Sequence, residues 1–120
     1  MSEPGKRARF LRRMRLLRHS DFERVYKQGR RHFASHMTVF YLFREDQPGL
    51  RVGFTVSKVL GNAVVRNRIR RRLREAVRLH WPAIEPAADV VINPKKSAEK
   101  VDFAALEKEM IRAFEVVGKN

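Results

Sequence analysis

Apolar residues recur along this chain of 120 residues with two spacings, and the switches between them predict its elements. Alternation marks half-buried strands, and recurrence at three and four residues marks helix faces. Ser20-Asp21-Phe22-Glu23 matches the S-x-x-E capping box, which predicts a short helix to about Gln28 with Phe22, Val25 and Tyr26 on one face. Gly29 then reads as a left-handed C-terminal stop. From Arg31 to Phe43 the residues become β-branched and aromatic, with Met37, Val39, Tyr41 and Phe43 on one side and Thr38, Phe40 and Leu42 on the other. Both sides are apolar, so this strand is either covered twice or keeps an open face for binding. The polar run from Glu45 to Gly49 carries Pro-Gly turn chemistry and predicts an antiparallel hairpin with Arg51–Ser57. In that second strand Val52, Phe54 and Val56 face the core, while Gly53, Thr55 and Ser57 are small enough to leave a shallow groove.

The pattern turns helical after Gly61. Asn62 is a good N-cap residue, and Val65, Ile69, Leu73, Ala76 and Val77 then form one apolar stripe that ends near His80, before Trp81-Pro82. A further strand is expected from Asp89 to Asn93, joined in parallel to the strand before the helix by a crossover. Phe103, Leu106, Met110, Phe114 and Val117 form the stripe of a last helix, with Asp102 near its start and Gly118 near its end. The order is α-β-β-α-β-α, an α+β fold read as a single-domain α-β sandwich with a small sheet. Residues 1–18 read as a mobile basic N-terminal arm whose later part lies against the domain, and 19–120 as one domain.

Charge changes the meaning of the central helix. Between Ser57 and Arg78 the chain carries seven arginines, and Glu75 is the only acid among them. Arg68, Arg70, Arg71, Arg72, Arg74 and Arg78 lie off the apolar stripe with Asn67, whereas Arg66 falls at its edge and is expected to do partly structural work. Like charges at i,i+4 repel by a few tenths of a kcal/mol per pair, so such a ridge calls for a polyanion opposite it. The whole chain has 27 Lys and Arg against 13 Asp and Glu, a net charge of +14, which points to phosphate-bearing partners. Nucleic acid is the leading class. An anionic membrane surface competes with it, but the basic residues are not gathered in one amphipathic segment with bulky anchors.

Other chemistry is sparse. There is no cysteine, which removes disulfides and thiol catalysis and suits a reducing cytoplasm. The longest apolar run, Met37 to Phe43, is too short to span a bilayer, and no secretion signal is visible. His19, His32, His36 and His80 show no metal-binding spacing, Ser57-Lys58 is a poor dyad, and no G-x-x-x-x-G-K-[ST] loop occurs. Binding residues remain. Lys58, Gly61, Asn62 and the first helical turn gather donors for a phosphate, and Arg66, Asn67 and Arg68 extend them. Phe22, Tyr26 and Phe40 either fill the core or line a groove in which single-stranded bases stack. A ribosomal or other RNA-packaging protein and a metal-independent nuclease using His and Lys residues both stay open on the residues alone.

The stretch VGFTVSKVLGNAVVRNRIRRRLREAVR resembles the protein component of bacterial ribonuclease P, whose signature centres on an R-N-R motif, here Arg66-Asn67-Arg68. The resemblance extends more weakly to DFERVYKQG and to the Asp89–Asn93 strand with the helix after it. It implies a subunit that binds a catalytic RNA and assists removal of 5′ leaders from precursor tRNA, in a cytoplasmic ribonucleoprotein with no obligate protein partner. The RNA would supply the chemistry, with magnesium ions held mainly by the RNA. Lys58, Asn62, Arg66, Asn67, Arg68, Arg70, Arg71, Arg72 and Arg74 would face the catalytic RNA, and Phe22, Tyr26 and Phe40 the leader. The resemblance also implies a left-handed β-α-β crossover, against the usual rule.

Overall fold

The computed structural model describes residues 10–119. The first half of the basic arm, residues 1–9, lies outside them. A short 3-10 turn, Arg12–Met14, leads into α1 (His19–Gln28). Strands β1 (Arg30–Phe33), β2 (Met37–Phe43) and β3 (Leu50–Phe54) follow, then the 3-10 turn Lys58–Leu60 and the long α2 (Ala63–Leu79). Strand β4 (Ala88–Pro94), the 3-10 turn Lys96–Glu99 and α3 (Phe103–Gly118) complete the chain.

The sheet has four strands in the order β1-β2-β4-β3. β3 and β4 are parallel, as the strand-helix-strand pattern predicts, with Val52 opposite Val90. Two strand expectations are corrected. The stretch from Arg31 to Phe43 is two antiparallel strands, because the chain reverses at Ala34–His36, where the Ala34 N–H donates to the Met37 carbonyl. The expected hairpin across Glu45–Gly49 does not form, because β4 inserts between β2 and β3 and pairs antiparallel with β2 along its whole length. The order is therefore α-β-β-β-α-β-α.

Two details of α1 also differ from expectation. The helix begins at His19 with Arg18 in the N-cap position and no side-chain cap, so the Ser20 capping box is not formed. Ser20 lies inside the helix instead of at its cap, and Glu23, its expected partner, lies 3.3 Å from His19. Gly29 is extended, with φ of −81°, not left-handed. Its lack of a side chain matters for another reason, since a Cβ there would sit 2.5 Å from the Val25 carbonyl oxygen and 2.6 Å from that of Tyr41.

The main core lies on the sheet face covered by α2 and α3. Met37, Val39, Val52, Val90 and Ile92 meet Ile69, Leu73 and Val77 from α2 and Leu106, Met110, Phe114 and Val117 from α3. Ile69, Leu73, Ala76 and Val77 are fully buried, and Val65 packs at the edge. Each large side chain so buried contributes about 1.5–3 kcal/mol, enough together to hold the repelling arginines of α2 in a helix. The opposite face carries a smaller cluster, in which α1 places Val25 against Val91 and Leu16, with Phe22, Tyr26, Phe40 and Leu42 half-buried around them. This thin cover explains why β2 is apolar on both sides.

Candidate nucleic-acid interface

The turn before α2 is built around Gly61 and Asn62. Asn62 caps the helix by accepting from the Val65 N–H at 3.0 Å. Gly61 has φ of +146°, a backbone state that L side chains rarely adopt, and a Cβ there would meet Val65 at 3.0 Å. The Arg66 Nε donates to the Gly61 carbonyl at 3.2 Å, which gives this edge residue the structural part that its position on the helix predicts. Lys58 and Asn62 are exposed beside it.

Along α2, Asn67, Arg68, Arg71 and Arg74 are exposed and Arg66, Arg70 and Arg72 are half-buried. Arg70 donates to the Asn67 side-chain oxygen at 2.9 Å, and Arg68 pairs with Glu99 at 2.5 Å. Arg72 is turned inward. It donates to the Ala98 and Glu99 carbonyls at 2.7 Å each and also to that of Val101, closing the turn that leads into α3. Arg78 is held by Glu75 one turn below it.

Phe22, Tyr26 and Phe40 come together on the thinly covered sheet face. Gly53 brings Phe22 down onto β3, since a Cβ at that position would fall 2.5 Å from the Phe22 ring. The groove expected over the small residues of β3 is thus filled at Gly53 by Phe22 and Leu16. The Tyr26 hydroxyl donates to Asn93 Oδ1 at 2.8 Å and lies 2.6 Å from Thr55 Oγ1. Its ring meets Phe40 edge-on at 4.9 Å, and the Arg31 guanidinium lies 5.6 Å from the centre of the Phe40 ring. The three rings are half-buried, and Phe40 is bordered by a cation.

Sequence reasoning missed a buried ionic junction beneath α1. Asp89, fully buried on β4, receives two hydrogen bonds of 2.8 Å from Arg51 and lies 3.0 Å from Arg44 and 3.8 Å from Arg24. The hydrogen bond to Asp89 raises the Arg51 guanidinium above its ordinary value, with burial opposing. The signal was present: an acid inside the apolar run Ala88–Ile92. Phe10, packed on Phe54 and Trp81 with centroids 6.0 and 6.1 Å away, was also missed, because nothing local marks one phenylalanine of a basic arm as anchored.

The family model described as Ribonuclease P matches residues 10–118. The chain belongs to the ribonuclease P protein family. A ribonuclease P protein component from Bacillus cereus is 34% identical over 104 residues, which cover 87% of this chain and 90% of that protein. Among solved structures, the RNase P protein of Staphylococcus aureus has a TM-score of 0.70 at 30% identity, covering 88% of this chain and 93% of that one. The RNase P protein from Thermotoga maritima has a TM-score of 0.75 at 25% identity, covering 86% and 96%. Membership makes the chain the protein component of a ribonucleoprotein endoribonuclease of tRNA processing, an RNA-binding subunit that associates with ribonuclease P RNA.

The donor set does not fit magnesium. Among the described residues no three His, Asp or Glu gather as metal ligands, and Asp21, Asp89, Glu75 and Glu99 face arginines instead. No helix among them is long and apolar enough to cross a membrane.

Proposed function

We propose that the Arg66-Asn67-Arg68 ridge docks on the catalytic RNA while the Phe22, Tyr26 and Phe40 surface takes the 5′ leader of precursor tRNA. One observation carries this reading: a cleft of about 150 Å³ is lined jointly by Phe22, Gly53, Arg70 and Arg74, so one edge of the aromatic surface, at Phe22, opens into the same space as the arginine helix. A leader that stacks near Phe22 then lies within reach of cations that also face the catalytic RNA. Lys58, Asn62, Arg66, Arg70, Arg71 and Arg74 serve docking, and Arg72 serves it chiefly by holding the loop after β4 in place.

The chemistry stays with the RNA and its magnesium ions, and the protein lowers the cost of bringing two polyanions together. Residues 1–18 act as a basic arm on an RNA-binding domain of residues 19–120, the holoenzyme works in the cytoplasm, and no other protein is required. The same reading makes the β3-α2-β4 crossover left-handed.

The test combines the chain with catalytic RNA and precursor tRNA at low magnesium. Cleavage and substrate affinity should exceed those of the RNA alone, and no gain would sink the reading. Phe40→Ala should weaken binding of precursors by about 1–3 kcal/mol, the range for loss of one stacked base, with little effect on leaderless product. Equal losses for both would make Phe40 a packing residue.

A further inference from the structure

Beyond the cleft just described lies a larger one, of about 450 Å³, between the arm and the C-terminal half of α2. Arg12, Arg15, Arg74 and Arg78 line it over a floor that includes Phe10. Phe10, Arg15 and Arg74 line both clefts, so the two adjoin. The arm is anchored on either side of Arg12. Leu16 is buried and its N–H donates to the Val52 carbonyl at 3.0 Å, and Phe10 is wedged against Phe54 and Trp81. The cationic wall is therefore assembled before any ligand arrives.

Its charge is largely unanswered. Glu75 is the one acid in the lining, and it is paired with Arg78. Arg15 donates to the Phe10 carbonyl at 3.0 and 3.2 Å. Arg12 and Arg74 are exposed and make no side-chain hydrogen bond or ion pair among the described residues. The Phe10 ring already has Arg15 at 5.6 Å from its centre and aromatic neighbours in Phe54 and Trp81, so the cleft offers charge and not a stacking platform.

We infer that this outer cleft is a phosphodiester site for single-stranded RNA running on past Phe22, read through Arg12 and Arg74 without regard to base. It rests on the RNA-binding reading above but adds residues and a direction to it. The strand comes either from a longer leader or from a single-stranded segment of the catalytic RNA, which share the same chemistry. An acidic peptide is the competing class.

The test is the salt dependence of binding by the full chain and its Arg12→Gln/Arg74→Gln variant. The probes are oligouridine, oligoadenosine, catalytic RNA, and precursors with long or no leader. Each phosphate contact on a single strand adds about 0.7 to the slope of log K against log salt, so the variant should be flatter by about 1.4. Across a fourfold rise in salt, that means losing about sevenfold less affinity than the parent. The change should be the same for both oligonucleotides. Trp81, the single tryptophan, stands 6.1 Å from Phe10, and its emission should shift on RNA binding in the parent and less in the variant. Beside the change with both oligonucleotides, a larger effect with long leaders than with none assigns the strand to the substrate, and equal effects assign it to the catalytic RNA. A change with catalytic RNA and neither oligonucleotide is what the docking role of Arg74 alone would give, and it overturns the site. An unchanged slope with every probe overturns the site while leaving the leader surface standing. Failure of the parent to bind any RNA overturns both, and displacement by an acidic peptide with no slope change gives the cleft to a protein.

Discussion

Arg68 and Arg72 stand one turn apart on α2, carry the same guanidinium, and have different work. Arg72 gives hydrogen bonds to the carbonyls of Ala98, Glu99 and Val101, fastening the turn that joins β4 to α3. Hydrogen bonds involving a charged group contribute about 1.5–3 kcal/mol, and carbonyls that face an empty space cost more than carbonyls in water. Arg72→Ala should therefore lower unfolding free energy by about 2–4 kcal/mol in urea melts. Arg68 is exposed and has a single acid, Glu99, as its partner, an arrangement with a typical worth of about 0–1 kcal/mol. Arg68→Ala should leave the melt nearly unchanged while weakening assembly with catalytic RNA and reducing the salt slope. Equal melts for the two variants would mean that the clamp contributes nothing. Helical spacing puts both residues on the polar arc, and it correctly marks Arg66 as an edge residue. It cannot separate Arg68 from Arg72, because the carbonyls that Arg72 meets lie 26 to 29 residues away in the chain.

At the scale of elements, what was legible was local. Asn62 announces the start of α2, the stripe from Ile69 to Val77 announces its buried face, and the strand-helix-strand order announces the parallel β3-β4 pair. The neighbours of a strand are not local. Glu45–Gly49 has the composition of a hairpin turn, yet β4 displaces β3 from β2 by presenting Val90 and Ile92 to the core beside Val39 and Tyr41. Asp89 sits at that insertion and ties β4 to Arg51 of β3, to Arg44 just after β2 and to Arg24 of α1. Removing one member of a buried ion pair costs about 3–5 kcal/mol, so Asp89→Asn should lower stability by that amount and loosen α1 over the aromatic surface. Thermal unfolding checks the first effect, and faster amide exchange in α1 checks the second. A variant with parental stability would show that the arginines find solvent without cost. The part that Arg51 plays in the junction should not respond to ordinary changes of pH. The folded-state value of Arg51 is raised, so its contribution is complete below the unfolded value and lost only as pH rises through the folded one, far into alkali.

The molecule as a whole turns a charge excess into surface. Among the described residues Asp21, Asp89, Glu75 and Glu99 lie against arginines, and Asp46, Glu85 and Glu115 do so at 3.5–4.0 Å, yet 27 Lys and Arg outnumber 13 Asp and Glu in the chain, so a net charge of +14 is left to display. Such a body acts on a folded RNA much as divalent ions do, by reducing repulsion between phosphates brought close together. The two should therefore substitute for one another. In a magnesium titration of precursor cleavage, the advantage of the complex over RNA alone should be greatest at the lowest concentration and shrink as magnesium rises. Added monovalent salt should erode it further by weakening assembly. The proposed stacking of a leader on Phe22, Tyr26 and Phe40 would make a different contribution, since stacking is much less sensitive to ions than phosphate contact is. A residual advantage for substrates with leaders should persist at high magnesium and disappear with Phe40→Ala. An advantage that stayed constant across the whole titration would mean that the excess charge does not offset phosphate repulsion, and that the subunit acts through its hold on the leader alone.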